Sequence, residues 1–381
     1  MRGPLQGIRL LEIAGLGPGP FAGMMLADAG ADIIRIDRAE HATYPPGGAA
    51  ESDILGRGRR SVAVDLKHPE GSGLVLKLVQ FAHGLIEGFR PGVAERLGIG
   101  PSDCLERNPA LVYGRMTGWG QTGPMAGMAG HDIDYIAIAG ALGHIGRAGE
   151  KPVPPLNLVG DFGGGGMLLA FGMVSALLHA RDTGRGQVID AAMVDGVASM
   201  MAMTYSLRAT HRWDGDRGTN VLDTGAHFYE VYETSDGGYI AVGAIEPQFY
   251  AELIRLLGLR QSELPRQMER AAWPTMKARL ASVFASRTRA EWTQIFDGTD
   301  ACAVPVLTMD EATAHPQNVH RGTFTEVDGL IQPSPSPRFS VTPGTIRNPP
   351  PHVGQFGDEA LAEWGVESDE ILRLRGSGVI L

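Results

Sequence analysis

The sequence predicts an α/β fold, a parallel sheet with helices on both faces, joined to a smaller α+β domain. Three observations point there. Short β-branched runs alternate with helix-like segments through the first third of the chain. A glycine-rich turn follows the first of these runs directly. Near residue 208 the pattern becomes polar and aperiodic, and then shows a hairpin signature, Ser235-Asp236-Gly237-Gly238 between two β-rich runs.

Taken in order, residues 8–13 form a short apolar strand and 20–29 a helix. Residues 33–36 and 62–66 are the next strands, and a helix over 69–81 carries proline near its first turn. Strand character continues at 85–86 and 111–115. Residues 114–166 hold 15 of the chain's 53 glycines and read as a long functional loop around one helix, 132–141. An apolar helix over 164–181, a strand over 187–189 and a helix over 191–207 follow. Residues 208–225 read as a linker, and 228–233 with 239–242 as the hairpin. Helices follow at 247–257, 273–285 and 289–296. Residues 333–351 are proline-rich and extended, and two short helices, 359–363 and 369–374, close the chain.

Composition narrows the function. The chain has 381 residues, 33 basic and 43 acidic, for a formal charge of −10. That balance argues against nucleic acid as the main partner, because phosphate backbones require a basic face. Cys104 and Cys302 are the only cysteines, which excludes a disulfide scaffold or a four-cysteine zinc site and suits a reducing, cytoplasmic setting. The longest apolar run, 167–178, falls short of the roughly 20 residues that cross a bilayer.

Five features bear on chemistry. The run Gly15-Leu16-Gly17-Pro18-Gly19 imitates a dinucleotide fingerprint, but Pro18 and Pro20 remove N–H donors, so a tight turn is the stronger reading. Arg35, Arg38, Arg57, Arg59, Arg60 and Arg90 gather where strands end, which suggests a phosphorylated ligand; taken singly, each reads as a solvated surface arginine. His131 and Asp132 open a helix, where Asp132 reads as an N-cap and a neutral imidazole can serve as a base; taken by itself, a structural histidine is the stronger reading. Asp161 precedes Gly163–Gly166, a run that would expose N–H groups to an oxyanion at a helix start. Such a capped aspartate holds its proton weakly unless burial offsets the cap. Glu246 sits at a strand-to-helix turn before Pro247 and by itself reads as a helix-dipole partner.

In combination, five segments resemble the class III CoA-transferase family: 5–38, "GRGRRSVAVDLK" (56–67), "EGFRPGVAERLGIGP" (87–101), "GRMTGWGQTGP" (114–124) and "TGRGQVIDAAMVDG" (183–196). "GHDIDY", "PLNLVGDFGGGG" and "IEPQF" are similar to its α-methylacyl-CoA racemase branch. The resemblance implies a Rossmann-like large CoA-binding domain over 1–207, a linker over 208–225, a small domain over 226–320 and a C-terminal segment, 321–381, returning to the large domain. It implies an interlocked homodimer in which Glu246 of one chain meets His131 of the other. It implies His131, Asp161 and Glu246 as acid/base residues, with the enolate oxygen held by backbone N–H groups around 161–164. Arg38, Arg59, Arg90, Asp132, Tyr135 and Gly163 become candidates for binding substrate and CoA, and Met193, Met200, Met201 and Met203 for the acyl tail. It implies inversion at C2 of a 2-methylacyl-CoA as the reaction, with no metal or redox cofactor. Two alternatives stay open: a CoA-transferase with Asp161 as nucleophile, and a non-catalytic acyl-CoA binder.

Overall fold

In the computed structural model, which describes residues 3–41 and 52–381, the chain divides into two compact units. The first comprises residues up to Ala139, Leu156–Met200 and Gly322–Leu381; the second comprises Gly140–Pro155 and Met201–Arg321. Residues 140–155 and 201–207 therefore belong to the second unit, although the sequence assigns them to the large domain.

The first unit is built on six parallel strands: β1 (Arg9–Ile13), β2 (Asp32–Arg38), β3 (Arg59–Val64), β4 (Gly84–Glu87), β5 (Val112–Thr117) and β6 (Gln187–Ala192). Their order is β3-β2-β1-β4-β5-β6. In register, Leu10 lies opposite Ile33 of β2 and Gly84 of β4. The central strands are apolar on both faces, as parallel strands covered by helices must be. One face packs α2 (Gly71–Val79), α4 (Pro101–Arg107), α14 (Gly357–Glu363) and α15 (Ser368–Gly376) through Leu74, Leu78, Trp364, Ile371 and Leu374. The other packs α1 (Pro18–Asp28) and α6 (Leu168–Thr183) through Ala22, Leu26, Leu169, Met173 and Leu177. A Cβ at Gly84 or Gly114 would lie 2.7 Å from a Met173 side-chain atom, so these glycines let α6 settle on the sheet.

Other elements of this unit include α3 (Val93–Arg96), α5 (Asp132–Ile138), α7 (Met193–Met200), and a hairpin of β10 (Phe324–Val327) and β11 (Leu330–Pro333). Its turn places Asp328 and Gly329 at φ 49° and 79°, the left-handed pair a two-residue hairpin requires. This hairpin is missed by the sequence, which lacks strong alternation there.

The second unit holds α8 (Ala202–Ala209), an antiparallel sheet of β7 (Tyr229–Glu233), β8 (Tyr239–Gly243) and β9 (Ala303–Pro305), and helices α9 (Pro247–Leu256), α10 (Trp273–Phe284), α11 (Arg289–Phe296), α12 (Met309–Ala314) and α13 (Pro316–Arg321). An aromatic core of Phe228, Tyr250, Trp273, Phe284 and Trp292 joins sheet and helices. The stretch read as a linker is folded. Trp213 is buried, and the buried Asp223 carboxylate accepts hydrogen bonds from the N–H groups of Gly218 (3.0 Å) and Asn220 (2.7 Å).

Two further differences concern helices. The single helix expected over 191–207 is two, α7 and α8, meeting at Met201. The helix expected from 164 begins earlier, as a ten-residue π-helix over Leu158–Met167 that runs straight into α6. The 26-residue span Leu158–Thr183 is long and apolar enough to cross a bilayer by length and composition alone. Its Leu169, Met173 and Leu177 fill the core beside the sheet.

Candidate active site

With strand order 3-2-1-4-5-6, the winding reverses between β1 and β4, and a crevice opens beyond the carboxyl ends of those strands. Two adjoining cavities occupy it. The first, of about 480 Å³, is walled by the β1–α1 turn, by Gly88–Pro91 after β4, by Met116–Trp119, and by Met128, His131, Tyr135, Asn157, Asp161 and Met193. The second, of about 560 Å³, lies over the ends of β2 and β3 and is walled by Asp37–Glu40 and Val64–Lys67. Ile13, Gly88, Phe89 and Arg90 belong to both walls.

Asp161 reaches the first cavity from the π-helix. Hydrogen bonds in such a helix run from i to i+5, which widens the turn; π segments are rare and concentrate at functional sites. Glycines permit it here through close approach. A Cβ at Gly164 would lie 2.7 Å from Val197 Cγ2 of α7, and one at Gly166 would lie 2.6 Å from Phe21 Cδ1 of α1. The run Gly163–Gly166 is thus a packing surface, with Gly164, Gly165 and Gly166 buried. Its proposed service as an oxyanion site is corrected at Asp161, whose N–H is already taken by Asp132.

Burial pushes the Asp161 carboxyl above its ordinary value. A hydrogen bond donated by Asn157 Nδ2 to Oδ2 at 3.1 Å works against this, Asp132 adds to it, and His131 opposes it. The weakly held proton expected of a capped aspartate does not occur, because Asp161 lies inside a wide helix and is half-buried.

His131, not Asp132, is the N-cap of α5; its N–H donates to Asp134 Oδ2 at 2.9 Å, and its side chain is on the cavity wall. Asp132 is buried and off that wall. Its Oδ2 accepts the N–H groups of Gly160 at 2.6 Å and Asp161 at 2.8 Å, and its Oδ1 has no partner among the described residues. That replaces the N-cap role expected of its side chain. Tyr135 lines the cavity, packs edge-on against Trp119, and donates its hydroxyl to the Gly130 carbonyl. Glu246 lies in the second unit as the exposed N-cap of α9, before Pro247.

The arginines separate cleanly. Arg90 stands at the junction of the cavities, and Arg38 on the wall of the second, 3.6 Å from Glu40 in an exposed pair. Arg59 is fully buried and unavailable to any ligand. Its Nε donates to Glu12 Oε2 at 2.9 Å, and its other nitrogens to the carbonyls of Leu55, Arg57 and Pro20. Gly23 leaves room for this pair, since a Cβ there would lie 2.3 Å from Glu12 Oε2. Arg57 is likewise buried against Asp28, Arg60 is tied to Asp32 and Glu363, and Arg35 to Asp37.

Of the methionine row only Met193 lines the cavity. Met200 is exposed and packs on Gly163, which is not on the wall, while Met201 and Met203 belong to the second unit. Met116, Met128 and Trp119 line the cavity beside Met193. Sequence reasoning missed these and Asn157, although Met116 and Trp119 lie within "GRMTGWG" and Asn157 within "PLNLVGDF".

The family model for CoA-transferase family III matches residues 5–356. The chain belongs to this family. Among relatives of this family III member, the α-methylacyl-CoA racemase of Mus musculus is 47% identical over 99% of the chain and 97% of its own length. That of Homo sapiens is 46% identical over the same shares. Among solved structures, a CAIB/BAIF family protein from Brucella suis superposes with a TM-score of 0.82 at 26% identity, covering 96% of this chain and all of that one.

Proposed function

We propose that this family III member is an α-methylacyl-CoA racemase, interconverting the 2R and 2S forms of 2-methylacyl-CoA thioesters. The observation that carries the reading is the convergence of His131 and Asp161 on one cavity at the switch of the sheet, in a chain 47% identical to a named racemase. Inversion at C2 removes a proton from one face and returns one to the other, so two groups must alternate as base and acid. Burial raises the Asp161 carboxyl above its ordinary value, which favours the protonated form that one direction of the exchange requires. The steps move protons only, and no metal or redox cofactor enters them.

The adjoining cavity suits the nucleotide end of CoA, with Arg38, Lys67 and Arg90 around it to meet phosphates. The first cavity, with Met116, Met128, Met193 and Trp119, takes the acyl thioester. A second copy completes the site as an interlocked dimer, bringing Glu246 to His131. Supporting this, Met167 at the end of the π-helix and Phe171, Val174 and Leu178 of α6 form an exposed apolar stripe, with Phe171 at 72% exposure.

The test is proton NMR of a 2-methylacyl-CoA in deuterated buffer. The wild type washes out the C2 proton of both enantiomers and interconverts them; Asp161→Ala and His131→Ala lose interconversion and keep at most the washout of the one enantiomer that the remaining base serves, and interconversion by Asp161→Ala at the wild-type rate would refute the assignment. A transferase reading draws on 29% identity to the succinyl-CoA:glutarate CoA-transferase of Homo sapiens. It requires exchange of CoA onto a free acid and a covalent intermediate on Asp161.

A further inference from the structure

We propose that Asp132 is a positioning residue that anchors Asp161 and tunes its proton affinity; the proposal rests on the racemase reading. A single oxygen, Oδ2, receives the N–H groups of both Gly160 and Asp161, across 28 and 29 residues of sequence. Among the described residues, no other side chain of α5 accepts an N–H of the π-helix. The join is built for closeness: a Cβ at Gly160 would lie 2.5 Å from Asp132 Oδ2. Only glycine at 160 lets the carboxylate reach both donors.

The same carboxylate places a negative charge beside the Asp161 side chain. Charged and titratable groups sit on every element packed around the π-helix. These are His131, Asp134 and Tyr135 with α5, Asp28 of α1, Asp195 of α7, His179, Arg181 and Asp182 of α6, Tyr113 and Arg115 of β5 and Asp190 of β6. Asp28 and Arg115 are neutralised in ion pairs, with Arg57 and with Glu87 and Glu95. Asp190 accepts the Gln121 N–H, and Asp195 is exposed. Asp132 and His131 are the charges that act on the Asp161 proton, in opposite directions.

Anchor and charge separate by substitution. In Asp132→Asn the amide oxygen can take both N–H groups, and the amide nitrogen replaces Oδ1, which has no partner to lose. The anchor stays and the charge goes. Asp132→Ala removes both, and Gly160→Ala expels the carboxylate while leaving Asp132 in the chain. For Asp132→Asn we expect the acidic limb of C2 exchange, and the carbon-13 titration of the Asp161 carboxyl in the ligand-free protein, to move down by on the order of 0.5–1 pH unit. For Asp132→Ala and Gly160→Ala we expect kcat to fall about 100-fold, as when a reacting group is misplaced by about 1 Å, with KM within about threefold. An unmoved Asp161 titration in Asp132→Asn overturns the tuning role. Retained kcat in Asp132→Ala or Gly160→Ala overturns the anchoring role. Should the wild type exchange no 2-methylacyl-CoA, the racemase reading fails, while the ligand-free titration still decides whether Asp132 tunes Asp161.

Discussion

Gly196 lies in α7 where that helix meets the π-helical segment. A Cβ there would lie 1.9 Å from the Gly164 carbonyl oxygen and 2.6 Å from its carbon. Carbon and oxygen settle no closer than about 3.3 Å, so in Gly196→Ala the two helices must part by about 1.4 Å. The obstacle is backbone, so no rotamer change relieves it. Overpacking of this kind costs about 1–3 kcal/mol, against a helix-propensity gain of up to about 1 kcal/mol for replacing glycine with alanine. The clash wins, and the net expectation is a loss of about 1–2 kcal/mol. Gly73 in α2 supplies the opposite case, because a Cβ there meets nothing within 4 Å. Gly73→Ala should gain about 0.5–1 kcal/mol. Urea unfolding followed by circular dichroism reads both: the midpoint falls for Gly196→Ala and rises for Gly73→Ala. Gly196→Ala should also slow C2 exchange, since the displaced segment carries Asp161. A Gly196→Ala protein as stable and as active as the wild type would refute the claim that close helix contact is what these glycines provide.

Arg59→Met strands Glu12 in the interior and should cost about 3–5 kcal/mol, whereas Arg38→Met should leave the urea midpoint unchanged and weaken acyl-CoA binding. His227 is buried against the Tyr250 hydroxyl at 2.9 Å, and burial pushes its imidazole down to about 4. The folded chain therefore binds this proton less readily than the unfolded chain. Stability is complete above about pH 6.5 and is lost as pH falls toward 4, by up to about 3 kcal/mol. Tryptophan fluorescence from Trp273 and Trp292 should report a second unit that weakens in urea between pH 7 and 4.5. His227→Gln should flatten that dependence; an undiminished slope would assign it elsewhere.

Local pattern determined much of this protein. The alternation of β-branched runs with helices gave all six parallel strands within a few residues, and the Ser235–Gly238 turn located the β7–β8 hairpin. Both are legible because periodicity and turn chemistry act between near neighbours. His131 and Asp161 were legible as residue types beside helix starts. What each residue does was decided by partners distant in sequence. Arg59 resembles Arg38 on paper, yet Glu12, 47 residues away, draws it into the core. The glycines after Asp161 looked like an anion cradle, and α1 and α7 make them a contact surface. Asp132 looked like a cap, and the N–H groups of Gly160 and Asp161 turn it inward. The proton affinity of Asp161 follows from burial, and burial is a property of the packed chain, set by neighbours that no local spacing encodes.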